Sequence, residues 1–238
     1  MVMEKHVCPY GLKSLHLLKH KGFKVTDHQL KSREETETFK EHQKVDTTPQ
    51  AFIDGKRIGG YDDLRRYFGR PLKDPKAPTY KPVIAIFAVA AAMALAAGWA
   101  VTGALFTSIT LQRFVAFAMC ILAVQKLRDL EGFATMFLTY DLLGRHWVRY
   151  AWFYPFAEAI AGVLMLAGAL LWLALPLALF IGSVGAVSVF YAVYIQKREL
   201  KCACTGASTN VPLGAVSLAE NLMMVTAALW MLPQAARI

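Results

Sequence analysis

Long apolar segments dominate this sequence of 238 residues from about residue 83 to its end. They lie near residues 83–105, 111–128, 153–174, 177–196 and 214–233. A helix of roughly 20 residues spans the hydrocarbon core of a bilayer, and each segment is close to that length. The sequence therefore predicts an all-α bundle of membrane-spanning helices over residues 83–238.

Two connections between these segments carry signals of their own. The break at residues 175–177 is short and contains Pro176, which predicts a helical hairpin between the third and fourth segments. Residues 129–152 are too polar to span a bilayer, but they are rich in aromatic residues. This composition predicts an interfacial helix whose aromatic side chains anchor it at the membrane surface. The side chains concerned are Phe133, Phe137, Tyr140, Trp147, Tyr150 and Trp152.

Basic residues cluster in the connections after the second and the fourth segments. Cytoplasmic loops of membrane proteins carry an excess of Lys and Arg, so this distribution predicts a cytoplasmic N-terminus and an outer C-terminus. The same rule accounts for the net charge of +9, and we therefore predict no nucleic-acid partner. Residues 1–10 lack the apolar core of a signal peptide, which also favours a cytosolic N-terminal domain. The basic residues are Lys126, Arg128, Arg145, Arg149, Lys197, Arg198 and Lys201.

Strand and helix signals alternate over the first 70 residues. They predict a small α/β domain with the order β-α-β-α-β-β-α, in which residues 23–30 form a strand and Asp54-Gly55 forms a hairpin turn. Residues 71–82 are rich in proline, which predicts an extended linker. We therefore divide the chain into a domain at 1–70, a linker at 71–82 and a membrane bundle at 83–238.

Cys8 stands directly before a predicted helix that starts with Pro9. The backbone N–H groups and the dipole at a helix N-terminus favour a thiolate over a thiol, so this position predicts a nucleophilic cysteine. The alternative is a buried and inert cysteine. Gly11 occupies the position at which a second cysteine would complete a dithiol motif. Cys8 therefore needs a thiol from elsewhere to resolve any mixed disulfide that it forms.

The segment CPYG at residues 8–11, together with TTPQAFIDGKRIGGYDDLRRYF at residues 47–68, resembles the glutaredoxins. The resemblance implies a thioredoxin-like fold, a cis bond before Pro49, and a groove that binds glutathione as the cofactor. It also implies that Thr48 and Pro49 pair with the backbone of glutathione. The other implied contacts are Lys5 near the glycyl carboxylate, Tyr10 of the CPYG motif, and Gly60, Tyr61, Asp62 and Asp63 at the γ-glutamyl end.

Cys202 and Cys204 lie in the basic connection before the last segment. Two cysteines at this spacing can close a small disulfide ring or bind a soft metal ion, and the plainer alternative is two unrelated loop cysteines. The sequence CACTG at residues 202–206 and NVPLGAVSLAEN at residues 210–221 resemble the MauE branch of the DoxX-like membrane proteins. The resemblance implies four spans, whereas the apolar segments of this sequence predict five. It also implies thiol–disulfide exchange that serves the maturation of a periplasmic enzyme alongside a thioredoxin-like partner.

Two glutamates and one cysteine lie inside the predicted spans. A carboxylate in a bilayer is costly and is commonly functional, so we predict that Glu220 passes protons to and from the thiols. For Glu158 we favour a hydrogen bond across helices, to a Tyr, a Ser or a basic residue such as Arg128, and the same bond is the alternative for Glu220. Cys120 is most simply a packing residue, and the alternative is a relay thiol for electrons that cross the membrane.

These features predict a membrane-bound thiol–disulfide oxidoreductase of the bacterial inner membrane. In this hypothesis Cys8 exchanges with the Cys202–Cys204 pair, and glutathione is the soluble thiol. Membrane lipid surrounds the bundle, and a periplasmic thioredoxin-like or substrate protein is the candidate outer partner. A quinone is a further candidate cofactor, because no cysteine lies on the predicted outer side.

Two other interpretations stay open at the level of the sequence. One is a transporter of a soft metal ion such as Cu(I) or Hg(II), or of a glutathione conjugate, with Cys202 and Cys204 as its ligands. The other makes the bundle a simple anchor for a glutaredoxin. It leaves the paired cysteines and Glu220 without a role.

Overall fold

The computed structural model describes residues 2–3, 6–70, 72, 74, 77–203 and 210–235. The chain forms two compact units, Met1–Pro75 and Lys76–Ile238. The first is a small α/β unit and the second is helical, which confirms the predicted fold class. The limits of the predicted linker stay predictions.

The first unit consists of short strands and three helices. The strands form two antiparallel pairs, in which β1 pairs with β2 and β3 with β4. Its elements are β1 (Val2–Met3), β2 (His6–Val7), α1 (Pro9–His20), α2 (Arg33–Gln43), β3 (Ala51–Ile53), β4 (Lys56–Gly59) and α3 (Tyr61–Tyr67).

Local sequence signals explain several of these boundaries. Pro9 is the first residue of α1, where its missing N–H costs nothing. Ser32 caps α2, because its Oγ accepts a hydrogen bond from the Glu35 backbone N–H at 3.0 Å. The turn between β3 and β4 is the predicted one, with φ of 50° at Asp54 and 74° at Gly55.

The predicted strand at residues 23–30 is wrong, because these residues form neither strand nor helix. Alternation of side chains does not make a strand unless a neighbouring strand supplies hydrogen bonds. The candidate neighbour β2 comprises only His6–Val7 and pairs with β1 instead. The core of this unit therefore rests on α1, α3 and the hairpin, through Leu17, Leu18, Ala51, Ile53 and Leu64.

The second unit is a bundle of long helices. Among the described residues, five helices are long and apolar enough to cross a membrane. Its elements are α4 (Lys81–Thr102), α5 (Ser108–Leu127), α6 (Leu130–Phe137), α7 (Leu142–His146), α8 (Arg149–Ala167), α9 (Leu171–Phe190) with a π-helical turn at Tyr191–Ile195, and α10 (Ala215–Ala235). The five spans are α4, α5, α8, α9 with its π-helical turn, and α10.

The hairpin between the third and fourth spans exists, but its predicted position at residues 175–177 is wrong. Helix α8 ends at Ala167, and Gly168 follows in the left-handed conformation with φ of 63°. Such a glycine satisfies the last carbonyl groups of a helix and ends it. Pro176 lies inside α9, near its N-terminal end. The glycine therefore sets this boundary.

The predicted interfacial helix over 129–152 is also wrong. The segment forms two short helices, α6 and α7, and then enters α8. Most of its aromatic side chains pack into the bundle, and only Trp147 is largely exposed. Tyr150 is 0 % exposed and Phe133 is 1 % exposed. These aromatic residues form part of the core, where their large apolar area stabilises the bundle.

Candidate functional site

Cys8 occupies the position directly before α1. Its backbone carbonyl accepts the first hydrogen bond of the helix, from the Leu12 N–H at 3.2 Å, and its side chain is 9 % exposed. The sulfur is a free thiol. Gly11 lies beside it, since a Cβ atom built on Gly11 would be 3.9 Å from the Cys8 Cβ. The structure thus places Cys8 where the sequence predicted.

Two of the predicted glutathione-binding residues come together next to this helix start. The rings of Tyr10 and Tyr61 are 6.3 Å apart between centroids. The Lys13 ammonium lies 5.4 Å from the Tyr10 centroid and 6.0 Å from that of Tyr61. This arrangement places two aromatic rings and one positive charge side by side at α1.

A second group of predicted residues surrounds the start of α3. The Thr48–Pro49 bond is cis, as the resemblance implies. A Cβ atom on Gly60 would lie 3.7 Å from the Pro49 carbonyl oxygen, so these two backbone segments are neighbours. Asp63 accepts a hydrogen bond from the Gly60 N–H at 3.0 Å and pairs with Arg66 at 2.7 Å. The Asp63 carboxylate thereby fixes the loop at the helix start.

The remaining predicted residues of the glutathione site are Thr48, Asp62 and Lys5. Thr48 is half-buried, and Asp62 is exposed on the first turn of α3. Lys5 lies outside the described residues. Its predicted contact with the glycyl carboxylate therefore stays a prediction.

Cys202 lies at the entry to α10 in the membrane unit. Its N–H donates to the Val211 carbonyl at 2.8 Å, and the Leu213 N–H donates to the Leu200 carbonyl at 2.7 Å. These bonds flank an antiparallel bridge between Lys201 and Pro212. Cys202 packs against the bundle and is 1 % exposed. Cys202 is disulfide-bonded. Cys204 lies outside the described residues.

The bundle holds a buried ionic triad of Lys126, Glu158 and Glu220, one residue each from α5, α8 and α10. The Lys126 Nζ lies 2.5 Å from Glu158 Oε2 and 2.8 Å from Glu220 Oε1. All three side chains are almost inaccessible to solvent, with exposed fractions of 2 %, 0 % and 6 %. Buried charges of this kind persist when each has a partner at hydrogen-bonding distance.

The triad corrects two predictions about charged residues. Lys126 was assigned to a cytoplasmic loop, but it is buried inside α5 and does not count toward the basic residues of that loop. Arg128, suggested as a partner of the glutamates, is exposed and donates to Gln125 at 3.2 Å. The other Glu158 oxygen, Oε1, is buried and has no hydrogen-bond partner among the described residues.

A cavity of ≈ 20 Å³ connects the triad to Cys202. This volume holds about one water molecule. The Ser217 hydroxyl donates to the Cys202 sulfur at 3.1 Å, and the Asn221 amide donates to the Ser217 carbonyl at 2.7 Å. The side chains around the cavity are Lys126, Phe133, Phe137, Tyr140, Tyr154, Val189, Cys202, Ser217, Glu220 and Asn221, and Gly185 completes the wall.

The cavity wall is apolar on one side and polar on the other. Burial raises the pKa of Tyr140 well above its ordinary value, and the nearby carboxylate of Glu220 adds to this rise. The Tyr154 hydroxyl lies 3.4 Å from the Asn221 amide oxygen. Gly185 leaves no room for a side chain, because a Cβ atom there would overlap the Asn221 side chain. The Cys202 sulfur thus shares one small cavity with Lys126 and Glu220 of the triad.

Lys126 and Ser217 are the residues that sequence reasoning missed in this site. Lys126 was counted with the loop although it lies within the limits given for the second apolar segment, and a cation there could be matched with two acids inside other spans. Ser217 precedes Glu220 by one helical turn, so both lie on one face of α10.

Cys120 lies in a helix interface away from the residues that line the cavity. It is a free thiol on α5. A Cβ atom on Gly162 of α8 would lie 2.9 Å from its sulfur, so the cysteine fills the space that the glycine leaves. This environment supports a packing role.

Comparison with known families gives two matches. The glutaredoxin family matches residues 1–58, and the family described as methylamine utilisation protein MauE matches residues 104–234. No curated protein and no solved structure matches the chain significantly. Together with the five apolar helices, these matches identify a multi-pass, membrane-associated redox protein in which a glutaredoxin domain precedes a MauE-like domain. Because the second match covers more than half of the sequence, the chain belongs to the MauE family.

Proposed function

We propose that this protein is a thiol–disulfide oxidoreductase in which Cys8 exchanges with a disulfide formed by Cys202 and Cys204. The observation that carries the proposal is the contrast between the two sites. Cys8 is a free thiol at a helix N-terminus, whereas Cys202 is disulfide-bonded. A thiolate attacks one sulfur of a disulfide, forms a mixed disulfide and releases the other sulfur.

Glutathione is the soluble thiol in this proposal. Cys8 has no second cysteine one turn further along α1, because Gly11 stands there. A cysteine of this kind forms a mixed disulfide that a separate thiol must resolve. Tyr10, Tyr61 and Lys13 provide an aromatic and positively charged surface for such a ligand, whose carboxylates are anionic.

The proposed location is the bacterial inner membrane, with both thiol sites on the cytoplasmic side. Six basic residues support this orientation without Lys126. They are Arg128, Arg145, Arg149, Lys197, Arg198 and Lys201. Reducing equivalents then pass to a periplasmic thioredoxin-like or substrate protein. A quinone as electron acceptor stays a prediction from the sequence.

Glu220 is the proposed proton-transfer group of the membrane site. Thiol–disulfide exchange needs a deprotonated attacking sulfur and ends with a protonated leaving sulfur. Glu220 lines the same cavity as Cys202 and lies one helical turn from Ser217, which contacts the sulfur.

Transport of a soft metal ion is the weaker alternative. Metal ligation by cysteine uses the thiolate, and a disulfide-bonded sulfur has no thiolate to offer. Cys202 is disulfide-bonded in this structure. Binding of Cu(I) or Hg(II) would therefore first require reduction of this bond.

The proposal is tested by trapping the mixed disulfide in membranes. The Cys202→Ser and Cys204→Ser variants each keep one sulfur of the pair, and both are made in a Cys120→Ser background. After mild oxidation, peptide mass spectrometry should find Cys8 bonded to the remaining sulfur in at least one variant, and Cys8→Ser should abolish the product. If Cys8 occurs only as its glutathione adduct in both variants, the internal exchange is excluded and metal transport is favoured.

A further inference from the structure

The Cys202 sulfur of the proposed membrane disulfide is inaccessible to an incoming thiol. Cys202 is 1 % exposed, and Ala203 next to it is 0 % exposed. We propose that Cys202 is always the leaving sulfur, that the incoming thiol attacks Cys204, and that the ionic triad supplies the proton that Cys202 takes up. This inference rests on the proposed function, because it concerns the same exchange.

The surroundings of Cys202 exclude direct attack on its sulfur. The Cys202 N–H donates to the Val211 carbonyl at 2.8 Å, and Ser217 Oγ lies 3.1 Å from the sulfur. Among the described residues, the cavity of ≈ 20 Å³ beside this sulfur has room for one water molecule and none for a thiol side chain. An attacking thiolate therefore reaches the partner sulfur.

The groups around Cys202 stabilise its sulfur when the disulfide breaks. A thiolate released into an apolar interior is costly unless a hydrogen bond or a proton meets it at once. The Ser217 hydroxyl already donates to this sulfur, and the cavity that both Ser217 and Glu220 line has room for one water molecule. The triad has two carboxyl groups for one ammonium, so its charge is balanced when the carboxyl pair holds one proton.

The step is balanced in atoms and electrons. The attacking thiol, from Cys8 or glutathione, loses its proton to water, and its thiolate forms a bond to the Cys204 sulfur. The bond between the Cys202 and Cys204 sulfurs breaks, and its electron pair stays on Cys202. The carboxyl pair gives its proton through the cavity water and Ser217, so that Cys202 ends as a neutral thiol and the pair is reprotonated from solution.

The first test is the asymmetry of the trapped product. In Cys202→Ser the sulfur of Cys204 remains, and it should form the mixed disulfide with Cys8. In Cys204→Ser the buried Cys202 remains, and the yield of its cross-link should be at least about tenfold lower under the same oxidation. Equal yields, or a higher yield at Cys202, would overturn the inference while leaving the proposed exchange intact. Absence of both products would instead refute the proposed function.

The second test is the pH profile of disulfide reduction by glutathione in full-length protein in detergent. The rate, expressed per glutathione thiolate, should fall with rising pH in the wild type, because fewer protons are then available for the leaving sulfur. In Glu220→Gln it should be at least about tenfold lower at pH 6–7, and its slope should disappear. Glu131→Gln is the matched control, because Glu131 contacts Trp152 near the surface.

A second pair of variants tests the path independently of the triad. Ser217→Ala removes the hydroxyl that contacts the sulfur, and Ser217→Thr keeps it. The reduction rate should fall in the first and recover in the second.

A pH slope in Glu220→Gln that equals the slope in Glu131→Gln would refute the role of the triad. The titratable groups facing Glu220 are Lys126 from α5, Glu158 and Tyr154 from α8, Tyr140 after α6, and Cys202.

Discussion

Cys8 and Gly11 lie one helical turn apart at the start of α1, with space between them. A Cβ atom at position 11 would be 3.9 Å from the Cys8 Cβ. The mean Cβ–Cβ distance across a disulfide is about 3.8 Å. Of the residues that the structure describes, no other contributes a heavy atom within 4 Å of that position, apart from the chain neighbours of Gly11 and its own helix backbone. The backbone is therefore already arranged for a dithiol motif, and only a sulfur is missing.

Gly11→Cys should convert Cys8 into a self-resolving cysteine. The introduced thiol can attack the mixed disulfide of Cys8 from the same helix, so the glutathione adduct should fall at least about tenfold at equal glutathione concentration. Intact-protein mass spectrometry measures the adduct, and Gly11→Ser is the control for a polar side chain at this position. An undiminished adduct in Gly11→Cys would contradict the geometry.

For single residues, the sequence predicts geometry within short motifs but misses contacts between residues that are far apart in the chain. Cys8, Pro49 and Gly60 belong to short motifs whose local geometry follows from residue type, and the structure places them accordingly. The pairs of Lys126 join positions 32 and 94 residues apart. A charge inside an apolar run is visible in the sequence, but its partner depends on how three helices pack.

The side chain of Asp141 caps the start of helix α7. Asp141 Oδ1 accepts the Gly144 N–H at 2.7 Å, while Oδ2 is buried without a hydrogen-bond partner among the described residues. Burial raises the pKa of Asp141, and the hydrogen bond from Gly144 partly offsets this effect. The folded protein therefore binds a proton at Asp141 more tightly than the unfolded chain does.

Asp141→Asn should change how stability depends on pH. Because the folded pKa is raised, the contribution of Asp141 is fully present below about pH 4, the unfolded pKa of aspartate, and is lost as pH rises through the folded pKa. Asparagine keeps an oxygen for the Gly144 N–H and has no charge to bury. The melting temperature of the variant minus that of the wild type should therefore increase with pH and then level off.

The measurement is thermal unfolding of both proteins in detergent between pH 3.5 and 7.5. Asp141→Ala is the control, since it removes the cap and should cost about 1 kcal/mol at pH values where the wild-type carboxyl is protonated. A difference between Asp141→Asn and the wild type that does not vary with pH would contradict the prediction.

The sequence predicts which helices are present better than it predicts the residues at which they begin and end. Apolar length located the five spans, because a bilayer imposes that length on each helix. The predicted boundary between α8 and α9 was wrong. Gly168 ends α8 in the left-handed conformation, whereas Pro176 is accommodated within α9. The prediction of a strand at residues 23–30 was wrong, because a strand requires a pairing partner elsewhere in the chain.

On the scale of the whole bundle, the ionic triad connects α5, α8 and α10 at one level. Lys126 contributes the single positive charge, and two glutamates compete for it. Removing one partner of a buried ion pair leaves an uncompensated charge, which costs more than removing the whole group.

Lys126→Met should therefore destabilise the bundle by about 3–5 kcal/mol. Adding Glu158→Gln and Glu220→Gln should restore most of the loss, because no buried charge then remains. Unfolding in detergent with a chemical denaturant measures both effects. Arg128→Met, two residues further along the chain at an exposed position, should change the stability by less than about 0.5 kcal/mol. A triple variant as unstable as Lys126→Met would refute the electrostatic origin of the loss.

The bridge before α10 ties together the two chain segments that flank residues 204–209. Its hydrogen bonds, from Cys202 to Val211 and from Leu213 to Leu200, fix both ends of this stretch against the helices. Lengthening a loop whose ends are held costs only about 0.6 kcal/mol for each doubling. Residues 205–209 can consequently be exchanged or extended without moving the buried sulfur. Changes within this stretch therefore leave the contacts of Cys202 with Val211 and Ser217 in place.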